Sequence, residues 1–331
     1  MEKSKIIPVN TPLLDIHEKR NVIECLKTNQ LTSGKFIKKF EKSFSSFHSK
    51  KYGISVSNGT AALEVAIKSL ELKKGSEVII PNFSIISTAL PVIKNGLKPV
   101  YVDCDLKTWN TTDEAVISKI SKKTKAIIIT HIYGLPVNLE RIIKIAKTKK
   151  ISIIEDAAEV IGLKYKKKYC GSFGDICTFS FYANKHITTG EGGMLLTNNY
   201  KLNEKFKDYR NLCFGSKKNR FNHYDISWNY RYTNIQATLG LSQLKRINRI
   251  IKKKHQIGNY YYKYFKNLKN IILQPNKLAH CKNIYWVFGI VLKKNNKNKI
   301  NAVVKKLAKK NIGTRPFFWP MHKQEILIKM K

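Results

Sequence analysis

The sequence predicts an α/β fold: a large domain built on a mainly parallel mixed sheet with helices on both faces, followed by a smaller C-terminal α+β domain. Three observations carry this. Between residues 50 and 200, short apolar runs alternate with amphipathic stretches, the pattern of strands joined by crossover helices. After about residue 235 the texture changes to a long helix-like stretch, a strand-like run and a second helix-like one, which marks another unit. With 331 residues, 43% of them hydrophobic, the chain has enough apolar material for both cores without disulfide staples. The expected boundary places residues 1–244, including an N-terminal arm, in the large domain and 245–331 in the small one.

In chain order, the short apolar runs Tyr52–Val56, Glu77–Ile80, Pro99–Val102, Ala126–Thr130, Ile151–Glu155, Ile176–Ser180 and Gly193–Thr197 read as strands. Helix-like spacing fills the gaps between the earlier ones, at Ala61–Leu72, Ser87–Asn95, Asp113–Ile120 and Leu139–Thr148. In such a sheet the ligand lies at the carboxyl ends of the strands. Beyond it, Ile235–Asn267 reads as one long helix, Asn283–Leu292 as a strand and Lys299–Lys310 as a helix, with the Lys/Asn-rich Lys293–Lys299 as a loop.

The balance of 62 Lys+Arg against 22 Asp+Glu gives a net charge of +40. Such a charge suggests polyanions, but the lysines fall in short runs throughout, such as Lys166-Lys167-Lys168 and Lys252-Lys253-Lys254, without an aromatic ladder or nucleic-acid motif. A solvated basic surface with weak polyanion attraction is expected, and no specific nucleic-acid partner. The longest apolar runs, among them Ala126–Thr130 and Ile284–Leu292, fall far below the roughly 18–20 residues of a membrane span. With a charged start and no leader-like stretch, a cytoplasmic location is expected. The six cysteines are scattered rather than set at metal or disulfide spacing, so neither a metal nor a disulfide framework is expected.

Three segments carry chemistry. Val56-Ser57-Asn58-Gly59-Thr60-Ala61 runs from a strand through a glycine turn into a helix, where free N–H groups and the helix dipole suit a phosphate; an ordinary turn with Thr60 as N-cap accounts for it equally well. Ile153-Ile154-Glu155-Asp156-Ala157-Ala158-Glu159 ends a strand in acids. Alternation sets Glu155 and Asp156 on opposite sides, so one of them can enter the cleft, and a buried carboxylate there needs a cation. In the third, Lys185 stands between Phe179-Ser180-Phe181-Tyr182 and Gly190-Glu191-Gly192-Gly193, in drier company than the other lysines. A lysine in a dry pocket has a lowered pKa and can serve as a neutral amine nucleophile.

Taken in order, Ser-Asn-Gly-Thr, Glu-Asp-Ala-Ala-Glu and Ser-Phe-x-x-x-Lys-x-x-x-x-Gly-Glu-Gly-Gly resemble the DegT/DnrJ/EryC1/StrS family of sugar aminotransferases. Pro12-Leu13-Leu14, Ser33-Gly34-Lys35 with Phe40-Glu41, Tyr133-Gly134 and Asn229-Tyr230-Arg231-Tyr232-Thr233-Asn234-Ile235-Gln236-Ala237 extend the resemblance over nearly the whole chain. It implies the aspartate-aminotransferase-like fold (fold type I) and pyridoxal 5'-phosphate (PLP) as cofactor. Lys185 would hold PLP through a Schiff base, Asp156 would pair with the pyridine nitrogen, and Glu159 would lie near the ring hydroxyl. Asn58, Gly59, Thr60 and Ser180 would contact the phosphate. Asn229 would reach the phosphate of the neighbouring subunit's cofactor, which implies a homodimer with shared active sites, and Arg231 would touch substrate or hold the interface. Ile85 occupies a position where many relatives stack an aromatic ring on the cofactor, with Phe83 as a possible substitute.

The stretches Pro81–Thr88, Asp103-Cys104-Asp105 with Thr108-Trp109-Asn110, and Thr314–His322 are similar to the perosamine-synthase and viosamine-type branch. That implies amination, with glutamate as donor, of carbon 4 of a nucleotide-linked 4-keto-6-deoxy sugar. Arg220, Arg231, Arg315 and His322 are the candidates for holding the sugar nucleotide. Two rivals remain. In PLP-dependent sugar dehydratases of this fold a histidine replaces the lysine, and His186 is adjacent; but the count from Ser180 and from Gly190 puts Lys185 in the lysine position. A non-catalytic polyanion-binding relative is the other. The chain ends at Lys331, shortly after Arg315-Pro316-Phe317-Phe318-Trp319-Pro320-Met321-His322, so the small domain is expected to be shorter than the family's.

Overall fold

The computed structural model describes residues 6–214, 221–293 and 297–330. Its centre is a seven-stranded sheet of β1 (Tyr52–Val56), β2 (Glu77–Pro81), β3 (Lys98–Val102), β4 (Thr124–Thr130), β5 (Ser152–Asp156), β8 (Ile176–Ser180) and β9 (Gly193–Thr197), in the order β1-β9-β8-β5-β4-β2-β3. Only β9 runs antiparallel to its neighbours. A small hairpin of β6 (Lys164–Tyr165) and β7 (Lys168–Tyr169) lies between β5 and β8 in sequence. The seven expected strands are all present, and the α/β reading holds.

The central strands are apolar without interruption because helices cover both faces. On one face Ile128, Ile154 and Ile176 pack with Ala62, Val65 and Ala66 of α3 (Gly59–Ser69). On the other, Ile127, Ile129 and Ile153 pack with Ile142 and Ala146 of α6 (Glu140–Thr148). The two-residue period therefore puts Asp156 on the side of Ile154 and α3, and Glu155 on the opposite side.

Four expectations are corrected. The helix cap before α3 is Asn58, whose Oδ1 accepts from Ala61 N–H at 2.8 Å, rather than Thr60. Ile235–Asn267 is two helices, Asn234–Lys245 and Ile247–Phe265, broken at Arg246. The guanidinium of Arg246 ties the break to Asp15 and Glu18, the capping-box residues of α1 (Ile16–Lys27). Of Asn283–Leu292 only Ile290–Leu292 is strand, paired with Ile271–Leu273. The helix expected from Lys299 begins at Lys297, inside the expected loop. Among the described residues no helix is long and apolar enough to cross a membrane.

The irregular segment 283–286 closes onto the end of β4, with Ile284 N–H donating to Gly134 C=O at 3.1 Å. Gly134 has φ +106, and a Cβ there would stand 2.6 Å from both Asn283 Oδ1 and Tyr285 N. Gly134→Ala is expected to cost about 2–4 kcal/mol from backbone strain and overpacking, read as a lower urea midpoint. An unchanged midpoint would mean that this closure contributes little.

Candidate active site

The end of β5 separates its two acids into different jobs. Glu155, fully buried, accepts from Gly171 N (2.6 Å), Phe173 N (2.7 Å), Gly174 N (3.0 Å) and His131 Nε2 (3.0 Å). His131 Nδ1 accepts from Val137 N–H at 3.0 Å, so the ring proton facing Glu155 sits on Nε2. Burial opposes ionisation of Glu155, but His131 and the backbone donors outweigh it and bring its pKa down to about 2. His131, Glu155 and Cys170 lie close enough to share a cation, yet the carboxylate is already satisfied by its donors. Glu155 holds the loop after the β6–β7 hairpin and takes no part in the cleft.

Among the described residues the Asp156 carboxylate is left with one hydrogen bond, from Ala158 N–H at 3.1 Å. Burial raises its pKa. Glu159, past the strand end, accepts from Tyr133 N–H at 2.8 Å, and burial lifts it to about 7 against the pull of Lys185. Lys185 Nζ lies 3.8 Å from Glu159 Oε1 and 3.8 Å above the centre of the Trp286 ring. Burial lowers its pKa, opposed by Glu159 and Asp156. Two buried acids thus face one amine in a dry pocket, and the set is short of positive charge.

The sign of this imbalance gives a prediction for the ligand-free protein. With its folded pKa raised from 4.5 to about 7, Glu159 contributes stability that is fully present below pH 4.5 and is lost as pH rises through 7. Glu159→Gln is therefore expected to be more stable relative to wild type at pH 8 than at pH 4.5. Urea midpoints at both values check this; an equal difference at both would mean that folding leaves the Glu159 pKa unshifted.

The other end of the pocket is the turn into α3. Gly59 lies so close to β8 that a Cβ would be 2.8 Å from Ser180 Cβ, and Thr60 Oγ1 lies 2.8 Å from Ser87 Oγ. The N–H groups of Gly59 and Thr60 have no partner among the described residues, as expected for the first turn of a helix. Asn58, Gly59, Thr60 and Ser180 are therefore brought together, with the N–H groups of Gly59 and Thr60 open among the described residues.

The remaining candidates are spread around this centre. Ile85, 49% exposed, precedes the 3-10 turn Ile86–Thr88, while Phe83 is held among Tyr133, Phe317 and Phe318. His322 is exposed and docks on Asn82 at the end of β2, its Nδ1 2.8 Å from Asn82 Nδ2. Arg315 is exposed. Asn229 and Arg231 are also exposed, and between them Tyr230 C=O accepts from Ser57 N–H at 2.9 Å, next to the phosphate-type turn. Arg220 lies outside the described residues.

Sequence reasoning missed Trp286 and the roles of Tyr133 and His131. Trp109, Tyr133, Trp286, Phe317 and Phe318 form one aromatic wall beside Lys185. Tyr133 adopts φ +57, a conformation that costs energy for a bulky residue, in order to turn its N–H to Glu159. The strand-then-glycine pair Tyr133-Gly134 was the available signal for that turn; nothing local marked Trp286.

Known proteins share this arrangement of chain. GDP-perosamine synthase of Escherichia coli O157:H7 is 39% identical over 319 residues, 96% of this chain and 86% of that protein. A solved structure of Helicobacter pylori PseC, an aminotransferase involved in the biosynthesis of pseudoaminic acid, matches with TM-score 0.92 at 27% identity, covering 98% of this chain and 88% of the other. E. coli GDP-4-keto-6-deoxy-D-mannose-3-dehydratase, solved with bound hydrated PLP, matches with TM-score 0.90 at 26% identity, covering 98% and 88%. Residues 12–330 match a single family description. On this evidence the chain belongs to the DegT/DnrJ/EryC1/StrS aminotransferase family.

Proposed function

We propose that this protein transfers an amino group from L-glutamate to carbon 4 of a nucleotide-linked 4-keto-6-deoxy sugar, with PLP as cofactor. The observation that carries the reading is the convergence of Lys185, Asp156 and Glu159 at the sheet's carboxyl edge, beside an open helix N-terminus. The residues fit PLP. Its protonated ring nitrogen supplies the positive charge that the two buried acids lack, and its phosphate suits the donors of Gly59 and Thr60. Thr178 pairs in register with Asp156, and its buried hydroxyl has no partner among the described residues, so a polar ligand atom would be accommodated there.

When bound, PLP accepts the electrons of the bond broken at the amino-donor carbon. Asp156 holds the proton on the ring nitrogen. Lys185 Nζ would hold the cofactor and would move the proton at the amino-donor carbon. Glu159, fixed by Tyr133 N–H, would lie near the ring hydroxyl, and the aromatic wall would exclude water. Asn58 and Ser180 would join the phosphate contacts, and Ile85 would cover the ring. Asn229 serves the partner subunit's phosphate, so the active unit is a homodimer. Its exposure, with Phe221 (70%), Ile226 (80%) and Trp228 (58%) exposed nearby, agrees with that. Residues 1–244 form the cofactor domain and 245–331 the smaller one; Arg231, Arg315 and His322 are assigned to the substrate.

The dehydratase relative prompts the alternative of a histidine in the lysine's place. Against it, Lys185 faces the acids, whereas His186 turns away, its buried Nε2 3.3 Å from Ile284 C=O. A panel of GDP-, UDP- and dTDP-linked 4-keto-6-deoxy sugars with glutamate tests the substrate, and a 4-amino product from one of them is expected. Release of a 3-deoxy product, or no product from any, would overturn the assignment.

A further inference from the structure

Lys185 is gripped from a segment far away in the chain. Its ammonium lies 3.8 Å over the centre of the Trp286 ring. Trp286 Nε1–H donates to the C=O of Asn184 at 2.9 Å, and His186 Nε2 lies 3.3 Å from Ile284 C=O, so the residues on both sides of Lys185 are pinned to 284–286. Trp286 is itself fixed. Lys254 Nζ donates to its C=O at 3.1 Å, and its ring packs on Tyr133 at 5.6 Å and Phe318 at 6.2 Å. A ring that merely filled space would need neither the face-on contact nor the bond to the neighbouring backbone.

We propose that Trp286 is the positioning residue for Lys185: its ring face is the resting place of the free ammonium, and its N–H fixes the turn from which the lysine reaches. This inference rests on Lys185 being the reactive lysine. The negative face of an indole prefers an ammonium to a neutral amine. Trp286 therefore stabilises the ammonium that Lys185 becomes on accepting a proton, against the burial that favours the neutral amine. The other ionisable groups around it are Asp156 at the end of β5, Glu159 beyond it, Tyr133 past β4, and His186, Lys254 and His255 on the Trp286 side.

The test reads Lys185 in the full-length, ligand-free protein, so its failure leaves the aminotransferase reading untouched. The pH midpoint for acetylation of Lys185 by acetic anhydride is followed by peptide mass in wild type, Trp286→Phe and Trp286→Leu. Trp286→Leu is expected to lower the midpoint by about one pH unit, and Trp286→Phe, which keeps a ring face, by clearly less. Coincident midpoints in all three folded proteins would overturn the proposal. Should Trp286→Leu fail to fold, tryptophan emission decides. A pH-dependent step in wild type that is absent from both Lys185→Ala and Trp286→Phe supports the proposal, and the same step in Lys185→Ala overturns it.

Discussion

Replacing Lys185 with alanine is expected to lower amino transfer by about a thousandfold or more and to abolish borohydride-fixed attachment of PLP, while the protein stays folded. The loss is large because the proposed function gives the residue two jobs that no neighbour duplicates, covalent attachment and proton transfer, and general acid–base catalysis alone contributes about 10²–10⁴-fold. His186 cannot substitute, since it points to Ile284 C=O on the far side of the turn. The fold is spared because the bond that shapes the turn, Lys185 N–H to Tyr182 C=O at 2.9 Å, belongs to the backbone. Losing the ammonium leaves Asp156 and Glu159 without a cation, but Glu159, already raised to about 7, can take up a proton. Turnover, reduction followed by mass analysis, and circular dichroism check these points. A Lys185→Ala protein that still forms the reducible adduct would move the site elsewhere.

The neighbouring acid should fail in the opposite way. Glu155→Ala is expected to destabilise the protein by roughly 3–5 kcal/mol, the cost of breaking a buried polar pair. The N–H groups of Gly171, Phe173 and Gly174 and the Nε2–H of His131 would all lose their acceptor inside the protein. Against a typical net stability of about 5–15 kcal/mol, that is a large share. The pH dependence has a definite sign. With the folded pKa lowered from 4.5 to about 2, Glu155 contributes stability that is present above pH 4.5 and is lost as pH falls towards 2. Urea unfolding at pH 7 and pH 3 should therefore show the gap between wild type and variant shrinking in acid. A variant that loses activity at full stability would place Glu155 in the chemistry instead of the frame.

Glu155 and Asp156 also mark where sequence reading stops. Strand alternation separates their directions, but not which side holds the cleft. That depends on Gly171, Phe173, Gly174 and His131 claiming Glu155, contacts distant in sequence. Lys185 stood out because its surroundings differ from those of the other lysines. The buried parallel strands stood out because continuous isoleucine-rich runs such as Ile127–Ile129 have no other use in a chain this polar. The chain after the large sheet was harder to read. Arg246 breaks a continuous helical pattern because Asp15 and Glu18 call its guanidinium to another helix. The 283–286 segment looked like strand because its apolar residues are buried against Gly134 and Lys185, rather than because they pair. Trp286 could not be found before that docking was known.

The most direct test of the central claim is the absorbance of the purified protein loaded with PLP, followed through one round of half-reactions. A visible band is expected that L-glutamate bleaches and a nucleotide-linked 4-keto-6-deoxy sugar restores, and borohydride is expected to leave no PLP attached to Lys185→Ala. A folded wild-type protein that takes up no PLP, or whose band ignores glutamate, would contradict it.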